Sequence, residues 1–500
     1  MASVNTNIGA LVAQGNMNKT ERDMAQAMER LSSGLRLNSA SDDAAGVSIS
    51  SRMEGQIRGL SQAVRNSEDA KNLIDTVEGA SQEIVAILQR LRELAVQSAT
   101  DTLSPLDRTF LKDEATALIA EIDRIKDTTA YNGSKVLDGT YASKVFQVGH
   151  KATEEIGVTV QNMASSAIGT FQLIGDSVSD IVTDSTSDVV TTALVINGHL
   201  GAGTTSLASA ASAKAAAEGI NGLTSSTGVT ARAVSFAKID TLSAAGTFNF
   251  NLTGDASADI ATVVADTSDL TVVRDAINDV AAITGITASY FNGEQDKLKL
   301  THSTGETMKF TNIAGVASTT EVNIRSLNND GSTNVSGSAV VTMDGTNDVI
   351  MTGTVIAESV KAFTISGDNA TADLGFFGTV ASNTGATTTG GTASISNIAN
   401  IDIGTHNGAE TAIAVIDGAI DMVNLERSNL GAISNRLDKT INNLSNIVEN
   451  TTASRSNIND ANFAAETTQL TKSQILNQAA TSMLAQANAS KQNLLALIQN

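Results

Sequence analysis

The sequence predicts an α+β fold. Both chain ends form one long helical coiled-coil rod, which carries a small β-hairpin and an inserted outer region of mixed α/β or mostly β character. Three observations carry this reading. Ile57, Leu60, Val64, Ile74, Val77, Ile84, Leu88, Leu91 and Leu94 recur at three- and four-residue spacing, the stripe of a helix with one buried face. Leu430, Ile433, Leu437, Ile441, Leu444 and Val448 repeat that stripe near the other end. Between them, from about residue 180, Ser, Thr, Gly, Ala and Asp dominate and short β-branched runs replace the helical period. Stripes this long exceed an ordinary globular helix and cannot face water alone, so the two are expected to pack on each other.

The totals narrow the class. Five hundred residues accommodate two to four domains. The chain has no cysteine or tryptophan, one proline (Pro105), three tyrosines and twelve phenylalanines, so its core is built of Ala, Val, Leu and Ile. Zero cysteine excludes disulfides and thiolate metal sites. A net charge of -21 opposes a nucleic-acid partner, which requires a basic footprint. No apolar run reaches membrane-span length, and the start lacks the charged and apolar regions of a cleaved secretory signal. Taken alone, that start reads as cytoplasmic unless another export route operates.

In chain order, residues 1–44 carry a modest stripe (Ile8, Leu11, Val12, Met24, Met28, Leu31) and read as a frayed amphipathic helix that gains order on meeting a partner. That helix is expected to end near Gly34. Ser41 with Asp42 and Asp43 then starts the long helix, acids facing the positive dipole end. The long helix closes near Thr100, Pro105 falls in a loop, and a second helix spans about Asp107 to Lys126 with Phe110, Leu111, Leu118, Ile119, Ile122 and Ile125 on its apolar side. Asn132-Gly133 signals a tight turn, and 145–160 reads as two strands around a charged turn.

Residues 181–399 hold 20 acidic and 9 basic residues, about half of the acidic excess. An internal repeat organises part of this stretch. Ile220-Asn221 precedes Gly228-Val229-Thr230-Ala231 by eight residues, and Ile277-Asn278 precedes Gly285-Ile286-Thr287-Ala288 by the same interval, 57 residues further on. Each copy is expected to be a small helix feeding a short strand. Helical pattern returns from His406 through Val448. A polar joint over 451–466 precedes a last helix with Leu470, Ile475, Leu476, Met483 and Leu484, and Leu494, Leu495, Leu497 and Ile498 add an oily face suited to burial between subunits.

No catalytic or metal constellation emerges. His150, His199, His302 and His406 are scattered without ligand spacing, and no nucleophile elbow, phosphate loop or dinucleotide fingerprint occurs. Asn328–Gly331 and Asp344–Asp348 resemble calcium-loop fragments without the closing Glu, and read as Asx-Gly turns. One segment keeps two readings open. In Gln89–Gln97, Leu91, Leu94 and Val96 cannot share one seam. Either Arg90, Glu93 and Gln97 form a solvated face, or that face docks on a neighbour through Arg90 and a partly buried Leu94.

Both ends resemble bacterial flagellin, the filament subunit of the flagellum. The matching pieces are ERLSSGLRLNSASDDAAG (29–46), LQRLRELAVQSA (88–99), ALIAEIDRI (117–125), YNGSKVLDG (131–139) and the run 441–498. The 220/277 unit is similar to the Ile-Asn-Gly repeat of some flagellin outer regions, although only the first copy keeps the glycine (Gly222), the second having Asp279. The resemblance implies a layout: 1–44 with 451–500 as inner-core helices, 45–180 with 400–450 as the rod domain with its hairpin, and 181–399 as the exposed outer domain. It further implies a secreted, non-enzymatic homopolymer, exported by the flagellum-specific type III route and forming the extracellular filament used for swimming. Implied partners are copies of itself, the filament cap and hook–filament junction proteins, an export chaperone, a host flagellin-sensing Toll-like receptor and O-linked sugars. No cofactor, nucleic acid or membrane is implied. The receptor surface carried over is Arg90, Leu94 and Gln97 with Glu114; polymerisation falls to Leu484, Leu494, Leu495, Leu497 and Ile498. The alternatives are a hook–filament junction protein, or an adhesin or enzyme displayed on flagellin-like ends.

Overall fold

Two helices of more than fifty residues, α2 (Ala44–Ser98) and α8 (His406–Asn459), dominate the chain. The structure, a computed structural model, describes residues 6–498 apart from 101, 176–178, 183–191, 209–210, 243, 292, 312–321, 328–330, 332–340, 344–347, 368–375 and 378–390. The other helices are α1 (Ile8–Ser33), α3 (Pro105–Thr128), α4 (Ala213–Asn221), α5 (Thr224–Thr227), α6 (Thr271–Asp279), α7 (Ala281–Thr284) and α9 (Phe463–Ile498).

The central seam of α2 follows strict three–four alternation, Leu60, Ala63, Ser67, Ala70, Ile74, Val77, Ser81, Ile84, Leu88, Leu91, Ala95, Ser98, with Leu73, Val85 and Leu94 buried beside it. That heptad spacing is the seam of a left-handed coiled coil. The two interior seam serines are satisfied within the helix, Ser67 donating to the Ala63 carbonyl and Ser81 to that of Val77, each at 2.8 Å. On α8 the seam includes Ala409, Ala412, Ile416, Ala419, Val423, Glu426, Leu430, Leu437 and Leu444.

The chain divides into two units. The first comprises Met1–Ile74, Ser143–Val158 and Gly431–Asn500, the second Asp75–Ala142 and Thr159–Leu430. In the first, Leu60 and Ala63 meet Leu444, flanked by Val64, Ile447 and Val448. Lys71 pairs with Asp438 at 2.7 Å and Glu54 with Arg455, so α2 and α8 run antiparallel there. The hairpin of Lys144–Gln147 and Glu155–Val158 seats on α2: Asn66 donates to the Gln147 carbonyl at 3.0 Å, and a Cβ on Gly59 would lie 3.1 Å from that of His150. α1 ends on Gly34 in the left-handed conformation. The break after α1 faces the break between α8 and α9, Arg36 N–H bonding the Asn459 carbonyl at 2.7 Å and Ala461 N–H that of Gly34 at 2.9 Å.

In the second unit, Glu78–Arg427 and Arg92–Asp417 tie α2 and α8 antiparallel at 2.7 and 2.5 Å. α3 lies alongside, its N-terminus closed by a reciprocal Ser104–Asp107 capping box. A two-residue hairpin turns at Asn132 and Gly133, both at positive φ, as Asn-Gly demands. The outer region is antiparallel throughout: sheets of five, eight and four strands among the described residues. Its largest core is set by Phe248, Phe250 and Phe310 with Leu298, Leu300 and Ile277.

The repeat is a shared structural unit. In each copy a β-hairpin leads to a nine-residue helix (α4 or α6), a single helical turn (α5 or α7), a left-handed glycine (Gly228 or Gly285, both φ 72°) and a strand (Thr230–Leu242 or Ile286–Phe291). Asn221 clamps both backbone groups of Ala231, at 2.7 Å each; Asn278 clamps those of Ala288 at 2.8 and 3.0 Å.

Three local expectations change. Pro105 opens α3 rather than lying in a loop, because the first helical turn needs no N–H there. The polar run 451–459 stays helical, its Ser454 hydroxyl back-bonding to the Asn450 carbonyl at 2.8 Å, and the break falls at 460–462, where Asn462 caps α9. Phe110 sits on the outer side of α3, 62% exposed. The Asx-Gly fragments at 328–330 and 344–347 lie outside the described residues.

Candidate assembly interface

Two surfaces stand out, one in each unit. The first is the antiparallel pair of α1 and α9. Asn7 reaches the Ala487 carbonyl at 3.2 Å, and Arg30 meets Glu466 at 3.2 Å. The fully buried residues of the pair are small or polar, namely Thr20, Ala27 and Ser473, with Met17, Met24, Leu31, Leu470 and Leu484 half-buried on the same stripes. Ile8, Leu11, Val12, Met28, Phe463, Ile475, Leu476 and Met483 instead point outward, 47–68% exposed. A soluble monomer normally buries such side chains, so a helix pair with its apolar residues outside is built to be covered. Leu484 is half-buried on α9; Leu494, Leu495, Leu497 and Ile498 belong to the same helix, but their side chains lie outside the described residues.

The second surface joins α2 and α3. Arg90 donates through Nε and Nη2 to Glu114 Oε1 at 3.0 and 2.8 Å, and through Nη1 to Glu93 at 2.8 Å. These bonds, Glu93's first, push the guanidinium pKa up. At the far end Arg108 ties α3 to α2 through the Ser98 and Thr100 carbonyls at 3.0 and 2.9 Å. Arg90, Gln97 and Glu114 are exposed together. Leu94 is not: only 1% exposed, it is part of the core, because the α2 segment here is buried over a wider arc than its seam alone. The exposed apolar groups beside Glu114 are instead Phe110 and Leu106, at 62% and 63%, one and two turns back on the same stripe of α3. A wheel of α3 separates them from the buried Ala115 and Ile122, so that signal was present in the sequence.

Elsewhere chemistry is sparse. Among the described residues no group of three His, Cys, Asp or Glu side chains is placed to hold a metal, and no helix is long and apolar enough to cross a membrane. Glu426 stands in the α8 seam and accepts the Gln161 N–H at 3.1 Å; burial pushes its carboxyl up.

Comparison with known proteins supplies the family. The model for the bacterial flagellin N-terminal helical region matches residues 4–142, that for the C-terminal helical region 413–498, and that for the flagellin hook IN motif 247–304. The last span is the second repeat copy, the one whose sequence lacks the glycine. The chain is 38% identical to B-type flagellin of Pseudomonas aeruginosa and 32% identical to flagellin A of Vibrio anguillarum, in each case over 99% of both chains. Among solved structures, FliC from Burkholderia pseudomallei aligns with 73% of this chain and 99% of its own at 18% identity and a TM-score of 0.30. Sequence identity over the full length, together with both terminal helical regions, makes the chain a member of the bacterial flagellins: a structural, non-enzymatic subunit that polymerises into the extracellular flagellar filament for motility.

Proposed function

We propose that polymerisation is carried by the outward apolar side chains of the α1–α9 pair, continued by Leu484, Leu494, Leu495, Leu497 and Ile498. The observation supporting this is the row of large apolar side chains that the pair leaves exposed, Ile8, Leu11, Val12, Met28, Phe463, Ile475, Leu476 and Met483. In this layout 1–44 with 451–500 line the filament core, 45–180 with 400–450 form the surrounding layer, and 181–399 faces the medium. Removing 488–500 deletes part of the oily face and leaves the α2–α8 seam intact. The truncated chain should keep most of its helical circular dichroism yet fail to extend seeds; normal seeded growth would exclude the terminus as an interface.

The α2–α3 face with Arg90, Gln97 and Glu114 is a second contact surface in this reading, between neighbouring subunits and, on shed monomer, toward a host flagellin-sensing Toll-like receptor. Its apolar anchor is Phe110 with Leu106, since Leu94 is occupied in the core. Export through the type III route with a chaperone, contacts with cap and junction proteins, and O-linked sugars on outer Ser or Thr complete the proposal on family grounds. Identity over 99% of full-length flagellins favours this over a junction protein or a displayed adhesin or enzyme.

A further inference from the structure

We propose that the pocket around His302 is an acid-responsive latch that fastens the second repeat copy against the first. Strand Glu294–His302 points Leu298, Leu300 and His302 inward, so an imidazole ends a row of leucines at the rim of the outer core, 1% exposed. Three other segments close on the ring. Gly285 turns there at φ 72°, where a Cβ would lie 2.6 Å from His302 Nε2. Gly254 and Asp255, in the turn joining strands Gly246–Thr253 and Ser257–Val264, pack from another side, with Asp255 N–H bonded to the Thr284 carbonyl at 2.9 Å. Lys214, on α4 of the first copy, reaches in toward Asp255 and Glu306, at 3.6 Å from each. Backbone joins the same elements: Lys214 N–H bonds the Gly305 carbonyl at 3.1 Å, and Ser235 donates to that of Glu306 at 2.8 Å.

The charged groups facing the ring are therefore Asp255, Glu306 and Lys214, with Thr304 Oγ1 at 3.2 Å from Nδ1. Nε2 is buried and makes no well-formed hydrogen bond: the backbone carbonyl of Thr284 beside it is already taken by the Asp255 N–H, and the nearest carboxylate oxygen lies 3.7 Å away on Asp255, beside the Lys214 ammonium. A neutral ring tolerates this arrangement. An imidazolium must donate from both nitrogens, and a buried donor without an acceptor is costly. Burial accordingly holds the imidazole below its ordinary value, the attraction of Asp255 and Glu306 offsetting it only in part. Taking up a proton below about pH 6.5 is then relieved by the ring leaving its slot, which frees the 254–256 turn and the 284–286 entry together. The first copy supplies the contrast. His199 lies over the matching Gly228 but is exposed, so no buried slot of the same kind encloses its ring.

The test uses the full-length monomer. Imidazole NMR should give a His302 midpoint below 6.5. Hydrogen exchange, corrected for its intrinsic pH dependence, should quicken at least about tenfold at Asp255, Gly285 and Ile286 between pH 7.5 and 5, and His302→Asn should abolish that change. A His302 midpoint at or above 6.5 overturns the latch, as does unchanged protection at pH 5 or equal acid loosening in His302→Asn. The ring titration decides alone should the variant not fold.

Discussion

Arg90 and Glu114, twenty-four residues apart, are joined by two hydrogen bonds that converge on one carboxylate oxygen, and this pair fixes α3 against α2 in the second unit. Both side chains remain about half exposed, 49% and 44%. A partner therefore meets a guanidinium already engaged and must take it by exchange.

That arrangement separates two mutations. Solvent screens an exposed pair, so Arg90→Ala should leave thermal stability nearly unchanged while weakening a docked partner. Leu94→Ala removes a core side chain and should cost about 2–5 kcal/mol. Thermal melts followed by circular dichroism check both, and a silent Leu94→Ala would contradict its burial.

Phe110→Ser tests the apolar anchor. With Phe110 62% exposed, the monomer should melt within a degree or two of wild type. Seeded growth and binding to a flagellin-sensing receptor are expected to drop by roughly tenfold or more, the scale of an aromatic hot spot. Unaltered growth and binding in the folded variant would return the face to ordinary solvated helix.

Protection should be uneven along the chain. α1 and α9 bury few apolar side chains against each other, whereas α2 and α8 bury full seams. Hydrogen exchange on the monomer should find weak protection over 8–33 and 463–490 and strong protection over 60–98 and 415–444. Equal protection in all four would refute a core pair that awaits its neighbours.

Two seam carboxylates give opposite pH effects. Hydrogen bonds from Arg427 hold Glu78 below the usual carboxylate range, so its stabilisation is complete at neutral pH and is lost as pH falls through the lowered value. Burial raises Glu426, whose contribution is favourable below the ordinary glutamate value and lost as pH rises through its folded value. Glu426→Gln keeps an acceptor for Gln161 and should raise stability at pH 7–8 by about 1 kcal/mol, roughly 2–4 °C in Tm, the gain vanishing near pH 4. A gain that instead grew toward pH 4 would reverse the assignment.

The repeat clamp predicts a local loss. Asn278→Ala leaves the Ala288 N–H and carbonyl without their partner, which should cost about 1–3 kcal/mol. Asn221→Ala should act similarly at Ala231. A melt of the outer region unchanged in both variants would make the clamp incidental.

The seam leucines and isoleucines were legible because burial on a long helix imposes its period on large apolar residues. Ala63, Ser67, Ala70 and Ser81 were not, although they hold positions of the same seam: small residues carry little hydrophobic signal, and a back-bonded serine hides its polarity. Gly34 marked its break, since few other residues accept φ 73°. The C-terminal break was displaced because Ser, Thr and Asn are poor helix formers alone yet are held in register once α8 is anchored along its seam. Leu94 was legible as part of the buried stripe; its second reading as a docking contact fails because a helix with neighbours on two sides buries a wider arc. Sheet order in the outer region could not be read, being set by pairings such as Thr354–Ser359 with Thr230–Leu242, more than a hundred residues apart.

The clamp that ties Asn221 to Ala231 and Asn278 to Ala288 spans ten residues and stays inside its own copy. Evolution can therefore treat the 57-residue segment as currency of a single denomination. Each clamp closes with no donor or acceptor from the other copy, so a duplicated segment would carry its own clamp with it and leave the neighbouring one as it was.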